Sequence, residues 1–201
     1  DKAESRGLGD VYKRQVFAPF KFFLSIFICK FIRFKLNRPS IILQVKTMFK
    51  ERSSIAQVEE SDNLAPKFDE NGLIVVTTLD NQTKEILMIG YMNEESLTKS
   101  IETKEAHYYS RSRKTIWHKG AKSGYVQKIK EILIDDDQDS LCMMVDIGEN
   151  GASCHVGYKS CFYREIDLED TKNKPGLRFK TTKKVFDPNI VYGDEPNPTK
   201  L

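Results

Sequence analysis

The sequence predicts a strand-rich α+β domain made of small antiparallel sheets with one or two short helices, and three observations point to it. Short runs rich in β-branched residues recur between Leu73 and Ile166 with turn residues between them. Only Asn93 to Lys104 shows helical spacing, and Leu141 to Val145 is apolar without interruption. At 201 residues, 39% hydrophobic and 30% charged, the chain is long enough for one domain or slightly more, which excludes a disordered or fibrous protein.

The elements follow in order. Phe49 to Lys67 is polar and aperiodic, a flexible lead-in with at most one or two helical turns. Leu73 to Leu79 and Glu85 to Tyr91, joined by turn residues Asp80 and Asn81, read as an antiparallel hairpin. Asn93 can cap a helix through Lys104 whose Leu97 and Ile101 share a face. Ala106 to Ser112 and Lys114 to His118 are two further strands, and Gln127 to Ile134 alternates apolar and charged residues. Leu141 to Val145 should be buried, Gly148 to Gly157 should be loop, and Cys161 to Ile166 should be a last strand. The resulting organisation is 1–47 as a non-native or disordered leader, 48–67 as lead-in, 68–167 as the domain, and 168–201 as an extension wrapping the surface.

Charge is unevenly spread. Residues 1–47 hold ten basic and three acidic residues, whereas 48–201 hold twenty-two and twenty-six, so the body carries −4 and a nucleic-acid partner is disfavoured. Lysines and arginine interrupt the greasy stretch Val16 to Leu36, so no membrane span is expected. Met48 offers a natural start for an acidic cytoplasmic domain.

Three constellations can carry chemistry. In Asp135-Asp136-Asp137-Gln138-Asp139, an extended backbone would put Asp135, Asp137 and Asp139 on one side and Asp136 on the other. Three such carboxylates suit Mg²⁺ or Ca²⁺, or else a solvated turn; an EF-hand is excluded because Ser140 stands where glycine is required. Cys154-His155 with Cys161 could reach one Zn²⁺, against the plainer reading of two buried thiols; Cys142 reads as core and Cys29 falls in the leader. Ser110 to Gly124 gathers Arg111, Arg113, Lys114, Lys119 and Lys122 without an acidic residue, with hydroxyls at Ser110, Ser112 and Ser123 and a flexible Gly124. That composition suits phosphate oxygens, or a solvated basic hairpin; Trp117 would stack on a base or, more simply, plug the core.

In combination, YMNEESL (Tyr91–Leu97), YYSRSR (Tyr108–Arg113), WHKG (Trp117–Gly120), Ser123-Gly124, the aspartate run and CHVGYKSCFYR (Cys154–Arg164) closely resemble phosphoribosyl-AMP cyclohydrolases of histidine biosynthesis. The resemblance implies an intertwined homodimer that opens the purine ring of phosphoribosyl-AMP between N1 and C6. It implies Mg²⁺ on Asp135, Asp137 and Asp139, Zn²⁺ on Cys154 and Cys161, and a catalytic role for His155. Ser110, Arg111, Arg113, Trp117, Lys119, Ser123 and Gly124 would bind the phosphorylated nucleotide.

One position departs from the pattern: the family commonly has a third zinc cysteine at the middle of the aspartate run, where this chain has Asp136. A carboxylate can ligate zinc, so Asp136 is the expected third ligand, with His107 or His118 as substitutes. Two other readings compete. A zinc nucleobase deaminase lacks its H-x-E and C-x-x-C here, and a zinc-stabilised RNA- or nucleotide-binding module conflicts with the body's acidic charge.

Overall fold

The computed structural model describes residues 47–169 and 176–195. Residues 1–46, with the Val16 to Leu36 stretch and Cys29, lie outside the described residues, as do 170–175 and 196–201. Among the described residues no helix is long and apolar enough to cross a membrane.

A short helix in the lead-in, α1 (Ile55–Glu59), begins where Ser54 Oγ accepts the Gln57 amide at 3.1 Å. The expected hairpin is β1 (Ile74–Asp80) with β2 (Ile86–Met92), antiparallel from Ile74 opposite Met92 to Thr78 opposite Met88, with a register shift after Thr78. The next element is α2 (Glu94–Thr103). Asn93 Oδ1 accepts the Ser96 amide and Ser96 Oγ accepts the Asn93 amide, both at 2.9 Å, so two otherwise orphaned donors are satisfied reciprocally. Lys104, left-handed at φ 58°, ends the helix.

β3 (His107–Ser110) and β4 (Thr115–His118) form a separate two-stranded sheet. β5 (Lys128–Ile134) and β6 (Ser140–Asp146) complete the main sheet, whose order is β2-β1-β6-β5. The expectation of purely antiparallel sheets fails at its centre, because β6 runs parallel to β1, from Val75 opposite Ser140 to Asp80 opposite Val145. The long connection through α2 and the β3–β4 hairpin permits a parallel return. An apolar strand such as β6 is best satisfied with a neighbour on either side. Among the described residues the class is therefore α+β with one mixed and two small antiparallel sheets.

The last expected strand is shorter than its apolar run suggests. Only β7 (Arg164–Ile166) is extended and paired, with β8 (Leu177–Phe179), because Cys161 is already bonded to the edge of β2 through its amide and Leu87 O at 2.7 Å. Within the extension lies α3 (Pro188–Tyr192), capped by Asp187.

The core is formed by Ile74, Val76, Leu87, Met88, Met92, Leu97, Met143 and Val145, with Tyr108 crossing from β3. Gly90 makes room for that ring, since a Cβ there would lie 2.6 Å from Tyr108 Cδ1. Inside this apolar mass runs a polar chain. Tyr108 gives its single proton to Gln127 Oε1 at 2.7 Å, so the Thr78 hydroxyl, 2.8 Å away, donates to the tyrosine oxygen. Gln127 Nε2 then donates to Ser153 Oγ at 2.9 Å, the residue before Cys154. Tyr108→Phe removes the middle of this chain and leaves Gln127 Oε1 buried without a donor. It should cost about 1–3 kcal/mol in urea unfolding, with the m-value unchanged.

Candidate active site

The loop carrying the two candidate zinc thiols is held by its own backbone and by β2. The amide of Ser153 donates to Lys159 O at 2.8 Å, that of Cys154 to Tyr158 O at 3.1 Å, and that of Gly157 to Cys154 O at 3.1 Å. These bonds fold Cys154 to Gly157 into a tight turn with His155 and Val156 at its tip, closed by Gly157 at φ 97°. Ser160 Oγ donates to Ile86 O at 2.6 Å, pinning the far arm of the loop to β2 beside the Cys161 bond.

The turn sets the two thiols side by side. Its neighbour Cys161 pulls the Cys154 thiol down to about 6, against burial and with help from the Val156 amide and the nearby His155 ring. Cys161 is pushed up, because releasing its proton would set two thiolates side by side. Burial draws the Lys119 ammonium below the usual lysine range, while the two cysteines favour its charge. His155 Nε2 is buried without a hydrogen-bond partner. An acidified thiol, a buried lysine and an unpartnered imidazole nitrogen thus share one corner of the fold.

The basic hairpin lies alongside. Arg113 Nε donates to Ser110 Oγ at 3.1 Å, and its guanidinium lies 5.8 Å from the Trp117 ring centre, with Lys119 Nζ at 5.7 Å. Trp117 is partly buried against the core and packs on Tyr108, as the simpler reading of that residue had it. Arg111 stacks on Tyr91 at 3.9 Å. Ser123 and Gly124 belong to the following loop, where Gly120 is unavoidable because a Cβ would lie 2.2 Å from the Tyr125 backbone.

The aspartate run is a turn, which corrects the extended reading of it: the Gln138 amide bonds Asp135 O at 3.2 Å and Gln138 is left-handed at φ 59°. The carboxylates of Asp135, Asp137 and Asp139 still converge, with oxygens within 4.8 Å of one another. Asp135 closes the turn by accepting the Asp139 and Ser140 amides and the Ser140 hydroxyl. Lys67 Nζ sits 3.2 Å from Asp137 Oδ2 and 3.1 Å from Asp139 Oδ2, a cation among the carboxylates that no local pattern announced. The lead-in is stitched to the same turn: Gln138 Nε2 donates to Val58 O, the Ala65 amide to Gln138 Oε1, and the Lys67 amide to Gln138 O.

The chain does not bring Asp136 to the cysteines. Ser140, which ends the aspartate turn, pairs with Val75 at the start of β1, while Leu87, which holds Cys161, neighbours the far end of β1, about four strand residues or ~13 Å away. Among the described residues no third His, Cys, Asp or Glu completes a group with Cys154 and Cys161. The alternative ligands His107 and His118 are instead stacked on each other at 4.4 Å. Glu105 Oε2 lies 2.9 Å from His118 Nε2 but outside the line a hydrogen bond needs.

Residues 88–163, from β2 to just past Cys161, match the phosphoribosyl-AMP cyclohydrolase family. A phosphoribosyl-AMP cyclohydrolase of Rhodopseudomonas palustris (strain HaA2) is 46% identical over 140 residues, 70% of this chain and 93% of that protein. The chain belongs to the phosphoribosyl-AMP cyclohydrolase family. A cyclohydrolase of Rhizobium rhizogenes (strain K84) is 42% identical over 137 residues, 68% of this chain and 91% of that relative. The family match contains the aspartate turn, the basic hairpin and both cysteines, whereas Lys67 and the C-terminal segment lie outside it.

Lys159 anchors this family site to the sheet. Its ammonium lies 2.7 Å from Asp80 Oδ2 and 3.1 Å from Glu85 Oε2, fastening the cysteine loop to the β1–β2 turn. Burial pushes the Asp80 carboxyl up, but Lys159 and the Gln82 and Thr83 amides outweigh it and hold the group below the ordinary carboxylate range. A depressed folded value means that the stabilisation is complete above the unfolded pKa, about 3.9, and is lost as pH falls through the lower folded value. Asp80→Asn should therefore cost about 1–2 kcal/mol at neutral pH, and its stability gap to the unsubstituted chain should close in acid. Urea midpoints measured across pH give the comparison, and a gap independent of pH would refute the pairing.

Proposed function

We propose that the chain catalyses the hydrolytic opening of the purine ring of 1-(5-phosphoribosyl)-AMP between N1 and C6, as a cytoplasmic homodimer using Zn²⁺ and Mg²⁺. The observation that carries this reading is the Cys154–Cys161 thiol pair beside the unpartnered His155 Nε2 and buried Lys119, within a chain of this family.

The donor set fits zinc. A thiol already lowered to about 6 gives up its proton readily to a metal, and two thiolates from one tight loop are strong zinc ligands. Asp136 of the partner subunit would supply the third ligand, since Asp136 of the same chain lies at the other end of the sheet. Cys154 and Cys161 would hold the zinc ion, whose chemistry when bound would be to acidify a water to a pKa near 7 so that it could add to C6. His155 Nε2, buried and without a hydrogen-bond partner, would carry the proton that N1 gains as its bond to C6 breaks, since an imidazole nitrogen can accept and return a proton. The Arg111, Arg113, Ser123 and Gly124 region would bind phosphate oxygens and orient the substrate. The loss of one C–N bond and the gain of one water give a carboxamide at C6 and a protonated amidine nitrogen at N1.

The carboxylate group fits Mg²⁺ by donor type and by its present occupant, because the Lys67 ammonium already stands in for a cation between Asp137 and Asp139. A dimer is supported by an open apolar cavity of about 490 Å³ between α2 and β5, lined by Leu97, Ile101, Ile129 and Ile132, and by the exposed Leu133 on the same edge strand. An edge of this kind invites a second chain.

The test is activity of the purified chain on phosphoribosyl-AMP together with metal analysis. Cys154→Ser should lose zinc and activity, while Asp136→Ala should bind zinc more weakly and Asp136→Cys at least as tightly as the unsubstituted chain. Co-refolded Asp136→Ala and Cys154→Ser chains should regain activity, because one site of each mixed dimer keeps Asp136 and both cysteines. No recovery would exclude ligand sharing.

At the aspartates, Asp137→Asn should raise the Mg²⁺ needed for half-maximal rate. Lys67→Met removes the competing cation and should tighten Mn²⁺ binding, read by electron paramagnetic resonance, by about threefold or more. Unchanged Mn²⁺ affinity in both variants would return these carboxylates to the role of a solvated turn.

A further inference from the structure

The C-terminal segment lies outside the family match, yet it touches both halves of the site. Gly157, which closes the His155 turn, accepts the Val185 amide at 2.7 Å and that of Phe186 at 3.4 Å through its carbonyl. The approach is close enough that a Cβ on Gly157 would lie 2.3 Å from Phe186 O. Lys184 Nζ lies 5.7 Å from the ring centre of Tyr158, the next residue. On its other side the segment grips the basic loop. Phe186 stacks on Tyr125 at 5.0 Å, immediately after Ser123 and Gly124, and Tyr192 meets Phe186 edge-on at 6.0 Å. Glu195 then forms an ion pair with Lys122.

We propose that Lys184 to Glu195 is a working part of the active site, a strap that fixes the phosphate-gripping loop against the His155 turn, with Phe186 as its positioning residue. This rests on the function proposed above. Phe186 contacts both loops, through its backbone amide on Gly157 and its ring on Tyr125. Removing the ring therefore frees the Ser123–Tyr125 loop, while the Val185 bond keeps His155 in place. Phosphate contacts are made equally in the ground state and in the transition state, so their weakening appears in KM and leaves kcat largely intact.

The experiment uses the full chain with Phe186→Ala and with Phe186→Leu, which keeps apolar volume and ensures a folded variant if alanine does not yield one. Steady-state rates on phosphoribosyl-AMP, zinc content and thermal midpoint are measured together. The expected result for Phe186→Leu is a KM raised about fivefold or more, kcat within about twofold, and zinc content unchanged, with Phe186→Tyr restoring both constants. Unchanged KM in an active Phe186→Leu enzyme overturns the strap, as does an equal fall of kcat in the leucine and tyrosine variants. An unsubstituted chain that is inactive on phosphoribosyl-AMP overturns the functional reading beneath it.

Discussion

A buried run of hydrogen bonds, from Thr78 through Tyr108 and Gln127 to Ser153, is the constraint on which the site depends. Each member is satisfied only if the others are in place, and an unpaired polar group at this depth is costly. Thr78 belongs to the main sheet, Tyr108 to the small hairpin, Gln127 to the approach to β5, and Ser153 to the cysteine loop. Four segments distant in sequence are thereby locked in one register, and Cys154 inherits its position from the last of them. Lys159 adds a second tether from the same loop to the β1–β2 turn, made of charge and placed at the protein's edge.

The sheet separates two kinds of donor. Oxygen donors gather at the end where β6 begins, while the two thiols and the His155 imidazole gather at the end where β2 begins. Hard and soft cations prefer these sets respectively, so the separation itself provides selectivity between the proposed metals. It also keeps one chain from completing a three-ligand site around Cys154 and Cys161, which is the ground for proposing that two chains share it.

Much of this was legible in the sequence because it is local. The β1–β2 hairpin, the Asn93 cap, the buried strand at Leu141 to Val145 and the convergence of Asp135, Asp137 and Asp139 each follow from residues within one or two turns of chain. The parallel β1–β6 pairing was not legible, since periodicity says that a strand is buried but not which neighbour buries it. The aspartate run is compatible in sequence with an extended segment or with a solvated turn, and its own residues do not decide between them. The left-handed residue is Gln138, whose buried amide bonds the lead-in 73 residues upstream at Ala65. Lys67, Gln127 and Phe186 escaped for the same reason: their partners lie far along the chain, and an isolated lysine, glutamine or phenylalanine carries no spacing to read.

The central pairing also sets the order in which the molecule can come together. Val75 meets Ser140 only after a closure of about 65 residues, whereas the β1–β2, β3–β4 and β5–β6 hairpins need only short ones. Loop-closure entropy makes the long pairing the late step, with the hairpins formed before it. Until β6 docks, the end of the sheet that bears the aspartates and the end that bears the cysteines have no fixed relation to each other. The donor residues are thus all present in the finished chain before the late pairing sets them in a fixed relation.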